Sequence, residues 1–421
     1  MTDTIDDTEE AGFASDFTQA HTLGESVRAY VARVRGGDMG ALPSVLGLVV
    51  LFIVFGFAHD RFLSNLNMAN LIVQAGSIII LAMALVPVLL LGDIDLSAGV
   101  AGGVSACVMG VLLVKHDQPW YLTVLAALLT GAAIGLIIGL LVAKLGIPSF
   151  VVTLAFFLGL QGLTLRLIGE GGSVRVSQDV ISGIANDNMS VAWGWISAVA
   201  IIAGYAALRL WRHRRKVVQG LEHQPFAVVV AQILAISGVL IGVTVVLNQN
   251  RSVNPNFPIM GIPYVLPLVI VLLIFWSFML GRTTWGRHVY AVGGNSEAAR
   301  RAGINVDRIR ISVFMICSSM AALSGIVAAS YVGKVSTSSG GGNVLLYAVG
   351  AAVIGGTSLF GGKGKASDAV VGGLVVATIA NGLGLLAQAS YINFLVTGGV
   401  LLLAASVDAI SRRRRSATGL G

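Results

Sequence analysis

Charged residues are scarce in this chain of 421 residues, where Asp, Glu, Lys and Arg together occupy only 11% of the positions. Hydrophobic residues occupy 56%, and 53 residues are glycine. Soluble domains usually carry charge at about a quarter of their positions, because their surfaces face water. The composition therefore excludes a soluble globular protein and predicts a protein that crosses a membrane many times.

Residues that carry out covalent or metal chemistry are also few. The two cysteines, Cys107 and Cys317, lie in apolar runs, which excludes a disulfide framework and indicates small packed side chains. No His-Glu-x-x-His sequence occurs, and the six histidines lie outside or at the edges of the hydrophobic runs, at positions 21, 59, 116, 213, 223 and 288. We therefore predict no catalytic residue, no metal site and no cofactor, and an intramembrane enzyme is an unfavoured class.

An ATP-binding loop is missing too. The stretch Gly355–Lys365 is rich in glycine and lysine, as a Walker loop is. The pattern Gly-x-x-x-x-Gly-Lys-Ser/Thr nevertheless fails, since Thr357 stands where the first Gly is required and Gly364 where the Ser or Thr is required. We expect this chain not to bind ATP through a Walker loop, and we interpret the stretch as a tight turn.

Long hydrophobic runs are what the sequence does have, and they predict an all-α, polytopic bundle of transmembrane helices. About twelve spans are expected, with ten or eleven as alternatives because several runs are short or interrupted by Gly and Pro. The predicted spans are residues 43–58, 71–91, 96–114, 121–143, 148–168, 191–211, 226–247, 264–280, 311–332, 344–360, 368–388 and 393–410.

Lys and Arg concentrate in alternate connections between these spans, above all in 209–225, 281–310 and 412–415. By the positive-inside rule, this bias predicts that both termini lie in the cytoplasm. It also accounts for the net charge of +7 without a nucleic-acid partner. The predicted organisation is an acidic tail with an interfacial helix near 22–36 (residues 1–40), a transmembrane domain in the lipid bilayer (41–411) and a basic tail (412–421).

The basic connection 281–310 predicts a short helix that is stopped at both ends. Asn295 or Ser296 can cap its first N–H groups, and Gly303 suits a left-handed stop. A helix this short is unstable alone, so we predict a docking helix for another subunit, with a loop that merely carries positive charge as the alternative. The predicted docking residues are Asn295, Ser296, Glu297, Ala298, Ala299, Arg300, Arg301, Ala302 and Gly303.

Polar residues interrupt the hydrophobic stretch at Leu91–Gly99, where two carboxylates stand at a membrane boundary. Asp95 and Ser97 can cap the helix that follows, and the glycines permit a sharp bend. The alternative is a proton or cation site formed by Asp93 and Asp95, although no buried His or Lys partner is evident.

A second group of polar and aromatic residues recurs near helical spacing after Pro148. Aromatic faces and hydrogen-bonding side chains together suit a sugar, although such a stripe is also typical of ordinary packing. Two further polar residues lie in or beside the last spans. The predicted pathway residues are Ser149, Phe150, Thr153, Phe157, Gln161, Asn381 and Gln388.

Three more features describe the expected packing. Gly131, Gly135 and Gly139 form small-xxx-small motifs that let two helices approach closely. The external connection 169–190 is long enough to receive a soluble partner, or to be only a surface loop. The pair of spans around the Arg-rich run 209–225 is interpreted as an added hairpin.

Four stretches of this chain resemble, in order, segments of one transporter family. They are Leu91–Gly99, Pro148–Leu154, Val289–Ile304 and Gly355–Gly362. Each is similar to a motif of the membrane subunits of ABC sugar importers that handle ribose, xylose, galactosides and similar sugars. The length and the added hairpin are most similar to the xylose permeases. Asp93 departs from the family, which usually has Gly there.

The resemblance implies a homodimer, two separate ATP-hydrolysing subunits in the cytoplasm and a sugar-binding protein outside. It implies a permease of the bacterial cytoplasmic membrane that imports a monosaccharide, with a pentose such as xylose favoured. Leu345–Tyr347 stands where ribose permeases commonly have Glu-Leu-Asp, so ribose itself is less favoured. The resemblance assigns 295–303 as the coupling helix. The alternative function is an ion-coupled secondary transporter that uses Asp93, Asp95 or Asp368.

Overall fold

The structure, a computed structural model, describes residues 24, 42–221, 223–252, 254, 256–387, 391–392, 394–400, 402–403 and 406. The expected interfacial helix (apart from Gly24), Gln388 and the basic tail lie outside the described residues, as does part of the last expected span.

The described chain is a bundle of helices with one small pair of strands. The helices are α1 (Leu42–Ala58), α2 (Asn65–Leu90), α3 (Ala98–Lys115), α4 (Trp120–Lys144), α5 (Ser149–Ile168), α6 (Asp179–Asn186), α7 (Val191–Val218), α8 (Phe226–Asn248), α9 (Val265–Arg282), α10 (Thr284–Gly294), α11 (Ser296–Arg301), α12 (Val306–Val332), α13 (Val344–Gly355) and α14 (Ala366–Leu385). The strands β1 (Ser173–Arg175) and β2 (Lys334–Ser336) pair antiparallel, with Val174 opposite Val335.

Nine of these helices within the described residues are long and apolar enough to cross a membrane. Two more, α1 and α13, are apolar but shorter, with 17 and 12 residues. The expected all-α polytopic architecture is therefore confirmed. The total of twelve spans and the cytoplasmic position of both ends remain predictions.

The core of the bundle forms around α12, which packs against α2, α3 and α4. The predicted small-residue face of α4 lies directly against α12, because a Cβ atom at Gly131 or Gly135 would overlap the carbonyl groups of Ser318 or Phe314. Glycine is needed at these positions because the two backbones touch. The close approach expected from Gly131, Gly135 and Gly139 is confirmed.

The expected span 344–360 is a shorter helix preceded by strand β2 and a series of turns. Residues 334–343 run along α3, so that Val335 faces Gly110, Ser339 faces Gly103 and Gly340 faces Gly99. Only then does α13 begin, and its 12 residues rise about 18 Å, whereas the hydrocarbon core of a bilayer is about 30 Å thick. The predicted span is too long because the hydrophobic run continues past Gly355 into the following turn.

Residues 169–190 form a folded cap at the end of α12. The backbone N–H of Ala185 donates to the Ser330 hydroxyl over 3.0 Å, and that hydroxyl donates to the Ser182 carbonyl over 2.9 Å. Asn186 donates to the Ser330 carbonyl over 2.8 Å. This connection is a packed surface element, which limits how far it could open to receive a partner.

The added hairpin, α7 and α8, packs mainly on itself and joins the bundle near the start of α2. There, Ala69 of α2 packs with Leu247 and Ile262. The guanidinium of Arg251 is buried and donates to the Leu247 carbonyl and to the Asn188 side chain, at 2.6 and 3.0 Å. One end of the hairpin is therefore fastened by hydrogen bonds as well as by apolar packing.

We predict that Gly135→Ala lowers the thermal stability of the purified protein, because its methyl group would overlap the backbone of α12. Overpacking of this kind costs about 1–3 kcal/mol of unfolding free energy. Thermal unfolding in detergent measures the change. The matched control is Gly238→Ala on α8, where an added Cβ meets nothing within 4 Å. Equal midpoints for the two variants would contradict the packing described for α4 and α12.

Candidate functional site

The short helix expected in the basic connection is present as α11, and both of its ends are capped. The Asn295 side chain accepts a hydrogen bond from the Ala298 N–H over 2.9 Å, so Asn295, and not Ser296, is the N-cap. At the other end, Gly303 has φ +85°, and the N–H groups of Gly303 and Ile304 donate to the carbonyls of Arg300 and Ala299, each over 3.0 Å. This pattern is a Schellman motif, which ends the helix at a fixed residue.

The α11 helix is attached to the bundle through one side chain and exposes the rest. Ala299 is buried, with 4% of its surface exposed, and packs in the main core. Glu297 and Arg301 form an exposed ion pair at 3.5 Å on the outer face. The other predicted docking residues are exposed as well: Asn295, Ser296, Ala298, Arg300, Ala302 and Gly303. This helix is therefore a rigid projection with a free polar surface.

A backbone junction lies directly before α11, and we call it the glycine junction; it comprises Leu90, Gly92, Gly293, Gly361 and Gly362. The Gly362 N–H donates to the Leu90 carbonyl over 2.8 Å. A Cβ atom at Gly293 would overlap that same carbonyl, and one at Gly361 would lie 3.1 Å from the Gly92 nitrogen. The end of α2, the end of α10 and the turn after α13 therefore meet without intervening side chains.

Two further hydrogen bonds fix α10 to the bundle. The indole of Trp285 donates to the Ser312 hydroxyl on α12 over 2.8 Å. The Tyr290 hydroxyl donates to the Gly364 carbonyl over 2.6 Å. Burial, and then the nearby Asp368 carboxylate, raise the pKa of Tyr290, so the phenol keeps its donor proton at neutral pH. As a result, α10 is bonded to α12 and to the turn after α13 before it reaches the glycine junction.

The polar interruption at 91–97 is a break between α2 and α3, opened by Gly92 with φ +75°. The Asp95 carboxylate accepts from the Ser97 N–H over 2.9 Å and from the Ser97 hydroxyl over 2.7 Å. Ser97 itself makes no side-chain cap bond, because its hydroxyl donates to Asp95 and its backbone is helical. The capping prediction is thus confirmed for Asp95 and wrong for Ser97.

Two of the predicted pathway residues bind the middle of this break. The Ile94 N–H donates to the Ser149 hydroxyl over 3.2 Å. The Thr153 hydroxyl lies 3.2 Å from the Ile94 carbonyl and 2.9 Å from the Ser149 carbonyl of its own helix, so its one proton is shared between two acceptors. Ser149 and Thr153 therefore take over hydrogen bonds that a continuous helix would have made within itself. Farther along α5, Phe157 and Gln161 are half-buried, whereas Phe150 is exposed.

Asn381 lies in a separate polar cluster. Asn67 and Asn381 exchange two side-chain hydrogen bonds, at 2.8 and 3.0 Å, and Asn381 also donates to Gln74 over 3.3 Å. These bonds join α2 to α14, and none of them involves Ser149 or Thr153. The structure therefore brings only part of the predicted pathway together, and Asn381 is positioned to hold two helices.

The three carboxylates considered above as ion sites, Asp93, Asp95 and Asp368, each contact another group of the protein. The Lys365 N–H donates to Asp368 over 2.8 Å at the start of α14, and the Cys317 thiol faces Asp95 at 3.8 Å. Asp93 pairs with Arg310, at 3.3 Å between the guanidinium Nε and the carboxylate. Sequence reasoning missed Arg310 because it searched for a partner within the spans, whereas this residue belongs to the connection that precedes α12.

Comparisons with known proteins match transport permeases over most of the chain. A family model described as "Branched-chain amino acid transport system / permease component" matches residues 67–405. The xylose transport system permease protein XylH of Escherichia coli K12 is 33% identical over 373 residues, which cover 88% of this chain and 92% of that protein. XylH of Haemophilus influenzae is 31% identical over 371 residues, 88% of this chain and 96% of that protein.

Permeases named for other sugars match almost as well. The ribose import permease protein RbsC of E. coli K12 is 30% identical over 369 residues, which cover 87% of this chain and 92% of that protein. The D-allose permease AlsC of the same organism is 28% identical over 363 residues, which cover 86% of this chain and 89% of that protein. No solved structure matches.

We predict that Asn295→Ala increases amide hydrogen exchange across residues 296–303 by about fivefold, since losing an N-cap costs about 1 kcal/mol of helix stability. Hydrogen-exchange mass spectrometry of the purified protein measures the rate. Asn343→Ala is the control, because Asn343 begins α13 without a side-chain cap bond. Unchanged exchange in Asn295→Ala would show that tertiary contacts alone hold α11.

Proposed function

Because this chain belongs to the family of ABC sugar-importer permeases, we propose that it carries a monosaccharide, with xylose favoured, into the bacterial cytoplasm. The matched family model and the identities of 30–33% to the xylose and ribose permeases carry this proposal. The chain is a transporter subunit of the cytoplasmic membrane and not an enzyme.

Separate subunits supply the energy in this proposal. The sequence contains no Walker loop, so ATP would be bound and hydrolysed by two partner subunits in the cytoplasm. Two copies of this permease would form a homodimer, and an extracytoplasmic protein would deliver the sugar. The names of the relatives favour this arrangement over an ion-coupled transporter.

Residues 295–303 are proposed as the coupling helix on which an ATP-hydrolysing subunit docks. The support is the geometry of α11, which is capped at both ends, tethered by Ala299 and otherwise exposed. A push on this helix would reach the end of α2 through the glycine junction, because backbone packed against backbone leaves no side chain to absorb the movement.

The sugar pathway is proposed to pass the break between α2 and α3, where Ser149 and Thr153 bind Ile94. An unwound segment of a membrane protein is tolerated where its backbone groups bond to protein or line a polar cavity, and broken helices contribute to substrate sites in many transporters. Phe150, Phe157 and Gln161 continue along α5 and would offer aromatic faces and an amide to the sugar. Asn381 is proposed to position α2 and α14 rather than to bind sugar.

The first experiment is uptake into proteoliposomes that contain the permease, its two ATP-hydrolysing partners and the sugar-binding protein. We predict uptake of labelled xylose that requires ATP inside, with weaker competition by ribose and allose. Uptake driven by a proton gradient, by the permease alone and without ATP, would overturn the importer proposal. ATP-dependent uptake of another sugar would overturn only the choice of xylose.

A second experiment tests the docking surface. We predict that Ala298→Trp abolishes co-purification of the ATP-hydrolysing partner and sugar-stimulated hydrolysis, because a bulky side chain on the exposed face of α11 would block contact. The control is Leu221→Trp, another exposed residue, in the turn between α7 and α8. If the partner stays bound to Ala298→Trp, the coupling helix is assigned to the wrong segment.

A further inference from the structure

Asp93 and Arg310 form an ion pair between two parts of the molecule that the proposed transport cycle has to move together. Asp93 lies in the break between α2 and α3, and Arg310 lies on the first turns of α12, nine residues after the end of α11. The guanidinium Nε is 3.3 Å from the carboxylate. The Ser149 hydroxyl also faces Asp93, so the pair sits beside the contact between Ser149 and Ile94.

This pair is sheltered from solvent and has little else to hold it. The Asp93 side chain is 11% exposed and that of Arg310 is 30% exposed. The two facing atoms, Asp93 Oδ2 and Arg310 Nε, make no hydrogen bond to any described residue. Asp93 therefore depends on Arg310 and on the Ser149 hydroxyl, and loss of Arg310 would leave a sheltered carboxylate without its opposite charge, which is unfavourable. Arg310 is more exposed and also lies near the Asp307 carboxylate.

A second ion pair on the same turn of α12 provides a contrast. Asp307 pairs with Lys144 at 2.9 Å, but these side chains are 32% and 57% exposed, and Lys144 ends α4 rather than lying in the break. An exposed pair contributes little to stability. Among the described residues, two ionic contacts thus hold the start of α12, and only the one from Arg310 reaches the break.

We propose that the Asp93–Arg310 pair positions the break, holding residues 91–97 against the first turns of α12, beside Ser149, until movement of α11 and α12 draws Arg310 away. This inference rests on the proposed function and adds a positioning role for two residues that it does not use. In a permease, the pair would link docking at α11 to opening beside Ser149 and Thr153.

The test places a reporter cysteine at Thr153, which is fully buried and donates to the Ile94 carbonyl. The Thr153→Cys permease in inside-out membrane vesicles is treated with a membrane-impermeant maleimide, and the labelling rate is measured. The parent chain gives the background, since Cys107 and Cys317 are buried. We expect Asp93→Asn and Arg310→Gln each to raise the rate by about tenfold, because each leaves an unpaired sheltered charge or removes the attraction.

Three further variants test whether the change in labelling rate comes from the Asp93–Arg310 pair. The double variant Asp93→Asn/Arg310→Gln is expected to label no faster than either single variant, because both remove one interaction. Asp93→Glu is expected to return the rate toward that of the parent. Lys144→Gln, which breaks the exposed pair on the same turn, is expected to leave labelling unchanged.

Two outcomes would overturn the positioning role. One is a labelling rate that is equal in all variants, and the other is multiplication of the two single effects in the double variant. If one single variant fails to insert, the other single variant, compared with the parent and with Lys144→Gln, provides the same measurement. The assay uses neither sugar nor ATP, so failure of xylose uptake together with the expected labelling pattern would reject the substrate and not the ion pair.

In the reconstituted importer, the same variants should hydrolyse more ATP for each sugar transported. A merely structural role would lower thermal stability and leave that ratio unchanged. An unaltered ratio in Asp93→Asn, combined with a lower unfolding temperature, would therefore also contradict the proposal.

Discussion

Backbone N–H and C=O groups inside a membrane have no water to bond to, and every interruption of a spanning helix has to satisfy them from within the protein. The break at 91–97 shows how this chain meets that constraint. Asp95 bonds to Ser97 at the start of α3, while Ser149 and Thr153 bond to Ile94 in the middle. The side chains that bond to Ile94 come from a different helix, so α5 and the middle of the break form one unit.

Glycine has the complementary role, because it lets segments touch where side chains would separate them. On α4, glycine brings two long helices into backbone contact, and at the glycine junction it brings together three ends of helices and turns. Direct backbone contact is stiff, since no side chain can change rotamer to absorb a displacement. These contacts run from the end of α10, next to α11, to the start of the break, the direction in which the proposed docking subunit would act.

Features that depend on nearby residues could be predicted from the sequence, and α11 is the clearest case. Its N-cap, its left-handed stop and its length depend on residues within nine positions, so local rules suffice. Partners that are distant in sequence could not be predicted in the same way. Asn381 pairs with Asn67 across 314 positions, and Arg310 reaches Asp93 from a connection that charge counting had treated only as a topology signal. The short length of α13 could not be predicted either, because hydropathy does not distinguish an apolar helix from an apolar turn.

The shortness of α11 is what makes the tethering at Ala299 important. Six helical residues cannot fold alone in water, so the helix exists only because the bundle and the two caps hold it. In the proposed docking, the same tether would determine which parts of the permease a partner could move. Since Ala299 is fixed in the core and Gly293 is packed on Leu90, a force on the exposed face cannot bend α11 away without disturbing the end of α2. A longer helix that was stable by itself could swing freely on Gly294, and such a helix would transmit less of the force to the membrane.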